Sequence, residues 1–553
     1  MDLKKPFTRF IRLLEMDRKD ILYILLFAVF VGIITLSLPL GIQAIIGLIM
    51  VGQMSTSWII LVSIVLIGIS ASGFVQILQL SMLERIQQRI FARSALEFAF
   101  RIPRFKVETL VNNHPPELIN RFFDTLTIQK SLPKILLEFS TSILQILFGL
   151  ILLSFYHPIF VVFGVVLLLM IAVIFKYTGI KGLRTSLKES KRKYDVAHWL
   201  EEVARTMDTF KLAGRTDLPW KKTDRLVGEY LNDRRSHFRV LLTQYGAMVG
   251  FKILVTGGLL LLGGMLIFDR QINIGQFVAA EIVILLIINS VEKMILQIDT
   301  AYDLLTGLEK VGQVFDLPLE KTEGYATLPS TDHHGLSVQL ERVSVAGGNG
   351  APMIKDVSLS IKPGSKVLVK GNNGSGKSVL LNVLAGLYED YSGRILYNDT
   401  LLRSLNRIDL RSVIGDNLSD EDIFEGTLFE NLTMGRAGIT EKDVNKRIEE
   451  MGLRDFVLDL DRGVYTQLVP HGKNLSRSTV KRILFIRSLL GNPKMILMDD
   501  PTSGLDTPSQ ECVLKCIMNL EDVTVVISSS DERIAKEVDA VIELENGSIK
   551  QNG

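Results

Sequence analysis

Six apolar stretches, at 21–41, 58–82, 135–156, 159–175, 241–268 and 274–298, confine what this chain can fold into. A helix rises about 1.5 Å per residue, so about 20 apolar residues cross the ~30 Å hydrocarbon core of a bilayer. The region is expected to be all-α, with six transmembrane helices. Only His157 and Pro158 separate the third and fourth stretches, which predicts a tight helical hairpin.

Orientation follows from where the cations fall, because cytoplasmic flanks carry the excess of Lys and Arg. Lys4, Lys5, Arg9, Arg12, Arg18 and Lys19 precede the first span. Arg85, Arg89, Arg93, Arg101 and Arg104 follow the second, and Lys176, Lys181, Arg184, Lys188, Lys191, Arg192 and Lys193 follow the fourth. The opposite connections, VGQMSTS, YHP and FDRQIN, are short and carry little charge. Both termini are therefore expected in the cytoplasm. The basic N-terminal segment is expected to be retained, since the apolar stretch behind it is too long for a signal-peptide core.

The inner connections keep a helical pattern of apolar and charged residues, as in LERIQQRIFARSALEFAF, which predicts membrane helices that continue beyond the bilayer. Lys252 and Glu281 are costly to bury in lipid and are expected to face protein or a water-filled cavity, at different depths. A net charge of +2 gives no excess of basic residues that would call for nucleic acid. Cys512 and Cys516, four apart in an expected soluble helix, read as ordinary thiols of a reducing compartment.

After Leu319 the polar stretch EKTEGYATLPSTDHHG suits a linker, and a second domain is expected from Leu336. There, β-rich runs such as KVLVK, MILMDD and TVVIS alternate with helical segments, the pattern of a mostly parallel sheet covered by helices. Directly after the strand-like 366–370 stands Gly371, Asn372, Asn373, Gly374, Ser375, Gly376, Lys377 and Ser378, followed by the helical run SVLLNVLAGL. This is a P-loop in its required context. Its glycines let backbone N–H groups close around phosphates, Lys377 reaches the outer phosphates, and the Ser378 hydroxyl is placed to bind Mg²⁺. Farther on, Asp499 and Asp500 end an apolar strand, where one carboxylate would hold Mg²⁺ and the next orient water.

Together these residues resemble the ATP-binding-cassette (ABC) transporters over nearly the whole chain. VYTQLVPHGKNLSRSTVKRILFIRSLLGNPKMILMDDPTSGLD is similar to the run from signature motif through Walker B to D-loop, and LRSVIGDNLSDEDIFEGTLFENLTMG to the segment that leaves the Q-loop. Glu117, Leu118, Ile119, Asn120 and Arg121, and residues 203–209, resemble the two coupling helices of an exporter membrane domain. INIGQFVAAEIV in the sixth span looks most like the type I secretion branch. The resemblance implies a transmembrane domain at 1–318, a linker at 319–335 and an α/β P-loop nucleotide-binding domain at 336–553. It also implies ATP and Mg²⁺ as cofactors and a dimer, homo- or hetero-, of two such halves in lipid. The plasma (inner) membrane, with the nucleotide-binding domain inside the cell, is the expected place. For the secretion branch, a periplasmic adaptor and an outer-membrane channel are implied as further partners. No peptidase-like stretch precedes the first span, so leader processing by this chain is not expected.

Several positions depart from the family pattern. Gly347 stands where an aromatic residue usually stacks on adenine, Ser419 at the Q-loop glutamine, and Asp500 at the glutamate after the Walker B aspartate. The signature LSGGQ reads Leu475, Ser476, Arg477, Ser478 and Thr479, and Ser530 aligns with the switch histidine. The D-loop Ser503, Gly504, Leu505 and Asp506 is kept. The resulting expectation is an exporter half that binds Mg-ATP, hydrolyses it slowly or not at all, and moves a peptide, protein or hydrophobic compound outward. The alternative is an ATP-gated regulator or scaffold that does not pump.

Overall fold

The computed structural model describes residues 4–50, 56–110, 115–321, 324–329, 335–347, 351–418 and 422–550. The chain divides into two units, Met1–Pro103 with His114–Leu317, and Arg104–Asn113 with Pro318–Gly553.

In the first unit six helical segments are long and apolar enough to cross a membrane: Arg18–Ile49, Thr56–Arg104, Glu117–Tyr156, Ile159–Arg205, Leu218–Phe268 and Ile274–Phe315. Three of the helices within them, Thr56–Arg101, Ile159–Arg205 and Leu218–Phe268, run unbroken for 46, 47 and 51 residues. At about 1.5 Å per residue each is roughly twice as long as the hydrocarbon core is thick. The charged connections thus continue the membrane helices, as their periodicity predicts. Irregularities have local causes. The first span breaks at Leu36, where Pro39 enters the next helix, Ser37–Met50, without an N–H to donate. Pro133 sits in the helix Asp124–Lys134 directly before a π-helical turn, Ile135–Phe139, so the third span widens where a backbone donor is missing. Asn273 opens the sixth span with a capping box, its Oδ1 accepting from Gln276 N at 2.7 Å.

Polar groups inside the spans find protein partners. Lys252 Nζ donates to Glu292 Oε2 at 2.8 Å, and Gln79 Nε2 to the Ile24 carbonyl at 2.9 Å. Glu281 is half-buried and, among the described residues, shares no ion pair with Lys252. Spans three and six approach closely at Gly149, where a Cβ would meet Ile287 at 3.1 Å and Val283 at 3.2 Å.

The second unit is built on three sheets. Its strands are β1 Val338–Ala346, β2 Pro352–Ile361, β3 Lys366–Gly371, β4 Tyr391–Tyr397, β5 Thr400–Leu401, β6 Ile414–Asn417, β7 Gly426–Thr427, β8 Gln467–Leu468, β9 Met495–Asp499, β10 Thr524–Ser528, β11 Ala540–Glu545 and β12 Ser548–Ile549. The central sheet has the order β12-β11-β3-β10-β9-β6, parallel except for its β12 edge. An antiparallel sheet, β2-β1-β4-β5, and the short pair β7-β8 complete the set. Central strands bury both faces, as a parallel sheet requires. Val367, Val369, Met495, Leu497 and Val526 enter one core, whereas Leu368, Ile496, Met498, Val525 and Ile527 enter the other. Alternation of side chains thus fills both layers from the same strands.

Residues 104–110 belong to this unit, a short way ahead of the stretch from Glu117 that resembles a coupling helix. Phe105 bridges Leu319, Lys106 Nζ pairs with Glu389 at 2.9 Å, and Glu108 Oε1 accepts from the N–H of Glu389 at 2.6 Å and of Asp390 at 3.0 Å. Burial pushes the Glu389 carboxyl up, but Lys106, the Lys321 N–H and Arg407 together hold it below the usual glutamate range. Glu117 and Arg121 instead pair with each other, at 3.2 Å, inside the first unit.

Candidate functional site

The P-loop connects β3 to the helix Lys377–Leu384, whose N-cap Gly376 has φ +99°. A Cβ at Gly376 would lie 2.9 Å from the Met353 carbonyl oxygen and 2.9 Å from Ile354 Cγ2, so only glycine fits. Lys377 Nζ donates to the carbonyls of Gly371 at 2.7 Å and Asn372 at 3.1 Å, which folds its side chain back over the loop. Ser378 Oγ donates to Asp499 Oδ2 at 2.7 Å. Asp499 is brought there by β9, which pairs with β10 so that Asp499 stands opposite Ser528.

Asp500 follows at φ +46°, with its N–H donating to Ser528 O at 2.8 Å and its carbonyl accepting from Ser503 N at 3.1 Å. These two bonds fix the backbone from which its carboxylate projects. Asn373, Gly374, Gly376, Lys377, Ser378, Asp499, Asp500 and Arg477 all line one cavity of about 1130 Å³. Eight positions singled out from the sequence thus converge.

Other expected site residues do not join them. Ser530 is exposed, two residues past the end of β10, and does not line the cavity. Its buried neighbour Ser529 accepts from Asp531 N at 3.1 Å. Ser476 is the N-cap of the helix Arg477–Leu489, its hydroxyl accepting from Thr479 N at 3.0 Å. Gly347 donates its N–H to Ala351 O at 2.7 Å beside the β1–β2 connection. Ser419 lies outside the described residues.

The cavity also gathers residues that the sequence did not announce: Pro352, Met353, Asp422, Lys481, Asn546 and Gly547. Lys481 could have been found, because it stands four residues after Arg477 and so on the same helix face. Asn546 and Gly547, at φ +48° and +81°, form the Asn-Gly turn that joins β11 to β12, a local signal of a hairpin but not of a site. Burial lowers the Lys481 ammonium from its ordinary value and Arg477 adds to this, while Asp500 and Asp499 pull it back.

The donor set fits the groups that a P-loop implies. Ser378 and Asp499 present hard oxygens side by side, the ligand type that Mg²⁺ prefers, and Lys377 with the loop amides would meet the phosphates. When bound, the metal would supply charge neutralisation at the phosphates.

Comparison with known proteins agrees with this geometry. Residues 21–291 match the ABC transporter transmembrane region and residues 354–503 match the ABC transporter family. A probable ABC transporter ATP-binding/permease protein of Haemophilus influenzae is 30% identical over 291 residues, covering 52% of this chain and 52% of the relative. A fatty acid ABC transporter ATP-binding/permease protein of Mycobacterium bovis is 31% identical, covering 44% of this chain and 38% of the relative. The transport/processing ATP-binding protein ComA of Streptococcus pneumoniae is 23% identical, covering 100% of this chain and 77% of the relative. The chain thus spans about half or less of the length of the first two. The structure of a bacterial Atm1-family ABC exporter with ATP bound superposes with TM-score 0.82 at 17% identity, over 97% of this chain and 94% of the other.

The fold and the site define a multi-pass membrane protein that carries a P-loop nucleotide-binding domain. The chain belongs to the ABC transporters, with a transmembrane region followed by a nucleotide-binding domain, and it shares the fold of the Atm1-family exporter structure.

Proposed function

We propose that this chain pairs with a second half-transporter in the plasma (inner) membrane, with its nucleotide-binding domain cytoplasmic, binds Mg-ATP, and turns it over slowly or not at all. The observation that carries this reading is the mixed state of one cavity. Lys377, Ser378 and Asp499 keep the phosphate and metal positions, while the shorter carboxylate of Asp500 stands where the family has glutamate. The cargo is a peptide, protein or hydrophobic compound moved outward. Relatives named for fatty acids and for transport/processing support that range. Arg477 in place of a signature glycine favours the second reading, a nucleotide-sensing regulator or scaffold that does not pump.

The test is equilibrium binding of ATP and GTP to the full chain in nanodiscs, with Lys377→Ala as control. ATP is expected to bind, to be preferred over GTP by less than about tenfold, and to be lost in the control; an aromatic stacking partner would add roughly 1–3 kcal/mol of affinity for either base. None of the described residues that line the cavity is aromatic. A strong ATP preference, or unchanged binding by Lys377→Ala, would contradict this reading.

A further inference from the structure

Charge within the membrane unit sits at hydrocarbon depth. Counted from the helix ends at the short connections, Tyr156, Phe268 and Ile274, Gln145 lies about 16 Å deep, Asn289 about 22 Å, Lys252 about 24 Å, Glu292 about 27 Å and Lys293 about 28 Å, all within a ~30 Å core. Lys252 and Glu292 pair at 2.8 Å, yet their side chains stay 42% and 26% exposed. Exposed charge at such depth belongs against water or protein, not lipid.

Asn289, Glu292, Lys293 and Leu296 recur at helical spacing on span six, and with Gln145 and Ser290 they line a cleft of about 370 Å³. Ser290 Oγ donates to Gln145 Oε1 at 2.9 Å, which ties span six to span three at the cleft. Asn289 and Lys293 are exposed. Among the described residues Lys293 forms no ion pair and the Asn289 amide no side-chain hydrogen bond. With Glu292 neutralised by Lys252, Lys293 leaves the cleft one unmatched positive charge beside two carboxamides. A second cleft, of about 390 Å³ between spans three and four, is lined instead by apolar side chains such as Leu147, Val161, Val165 and Leu168, and suits lipid.

We propose that the polar cleft holds the cargo, and that the cargo is a peptide whose carboxylate meets Lys293 and whose amides meet Asn289 and Gln145. The proposal rests on the exporter reading above and narrows its cargo to a carboxylate-bearing peptide. A purely hydrophobic cargo would strip water from the Lys293 ammonium and the two carboxamides and give nothing back. A carboxylate and peptide amides replace that water in kind, and the charge-assisted contact is the strongest of them.

The experiment uses the full chain in phosphatidylcholine nanodiscs, with Cys512→Ser and Cys516→Ser removing its two cysteines. Asn289→Cys in the polar cleft and Leu168→Cys in the apolar one are labelled with a charged methanethiosulfonate. Asn289→Cys should react more than about 100-fold faster, because the thiolate forms only where water reaches. The binding probe is a dansylated tetra-alanine with a free carboxylate, compared with its C-terminal amide and with oleate as competitor. The carboxylate form should bind about tenfold tighter than the amide, oleate should not displace it, Lys293→Gln should abolish the difference, and Lys293→Arg should keep it. Labelling of Asn289→Cys as slow as Leu168→Cys, equal binding of the two peptide forms, or displacement by oleate would overturn the proposal, the first showing a face covered by lipid or a second copy. These outcomes leave ATP binding untouched. Failure of the wild type to bind ATP, with labelling and peptide binding as expected, would instead remove the proposed function.

Discussion

Replacing Asp500 by glutamate tests how far a single methylene limits turnover. A carbon–carbon bond adds about 1.5 Å to the reach of a carboxylate. The Asp500 backbone has no freedom to advance by that distance, because its N–H is bonded to Ser528 O at 2.8 Å and its carbonyl to Ser503 N at 3.1 Å. A misplacement of about 1 Å at a reacting group costs about 100-fold, or about 2.7 kcal/mol of barrier. If the other departures were harmless, Asp500→Glu would recover that factor. They are not expected to be: Ser530 lies outside the cavity, and Arg477 occupies a position where glycine would leave the helix N-terminus open to an opposite nucleotide. In a dimer of identical chains both sites carry all of these defects. Steady-state Mg-ATPase of the full chain in nanodiscs is therefore expected near background, with Asp500→Glu raising it by less than about tenfold. Vigorous wild-type hydrolysis that disappears in Lys377→Ala, or recovery of about 100-fold or more by Asp500→Glu alone, would refute the reasoning.

Topology follows from the distribution of Lys and Arg: a reporter fused after Gly553 should be cytoplasmic and one inserted at Thr56 outside, and finding both on one side would end the six-span arrangement. Gly376→Ala should weaken ATP binding by more than about tenfold, since strain at positive φ and overpacking against Met353 and Ile354 each cost roughly 1–3 kcal/mol; unchanged affinity by titration would show that the loop relaxes freely. Glu389→Gln removes a charged acceptor from Lys106 and should speed amide exchange in residues 104–110 by about tenfold, measured by mass spectrometry. Because the Glu389 carboxyl is held below its ordinary range, the contact should be complete through that range and be lost only as pH falls below it, and loss at neutral pH would contradict this sign.

Much of the fold was legible because its determinants are contiguous. A span is defined by its own run of apolar residues, and the long helices follow from periodicity that continues past each run. The P-loop reads from eight consecutive residues, and β9 delivers Asp499 because a buried apolar strand must end where its sheet ends. Where Ser530 stands was not legible: it lies two residues past the end of β10 and does not line the cavity, and only the register of β10 against β9, with Ser528 opposite Asp499, sets that placement.

The sequence by itself determined the membrane spans, the two kinds of domain and the phosphate-binding loop, since each depends on residues adjacent in the chain. Tertiary structure decided which of many polar residues meet: Lys252 with Glu292, Lys106 with Glu389, and Lys481, Met353 and Asn546 around one cavity. These partners are far apart in sequence, and no propensity or spacing encodes their meeting. Burial supplies the physical reason. Once helices and strands have packed, a charge or an amide left among them must take whichever partner the fold places within reach, or bear the cost of lost water.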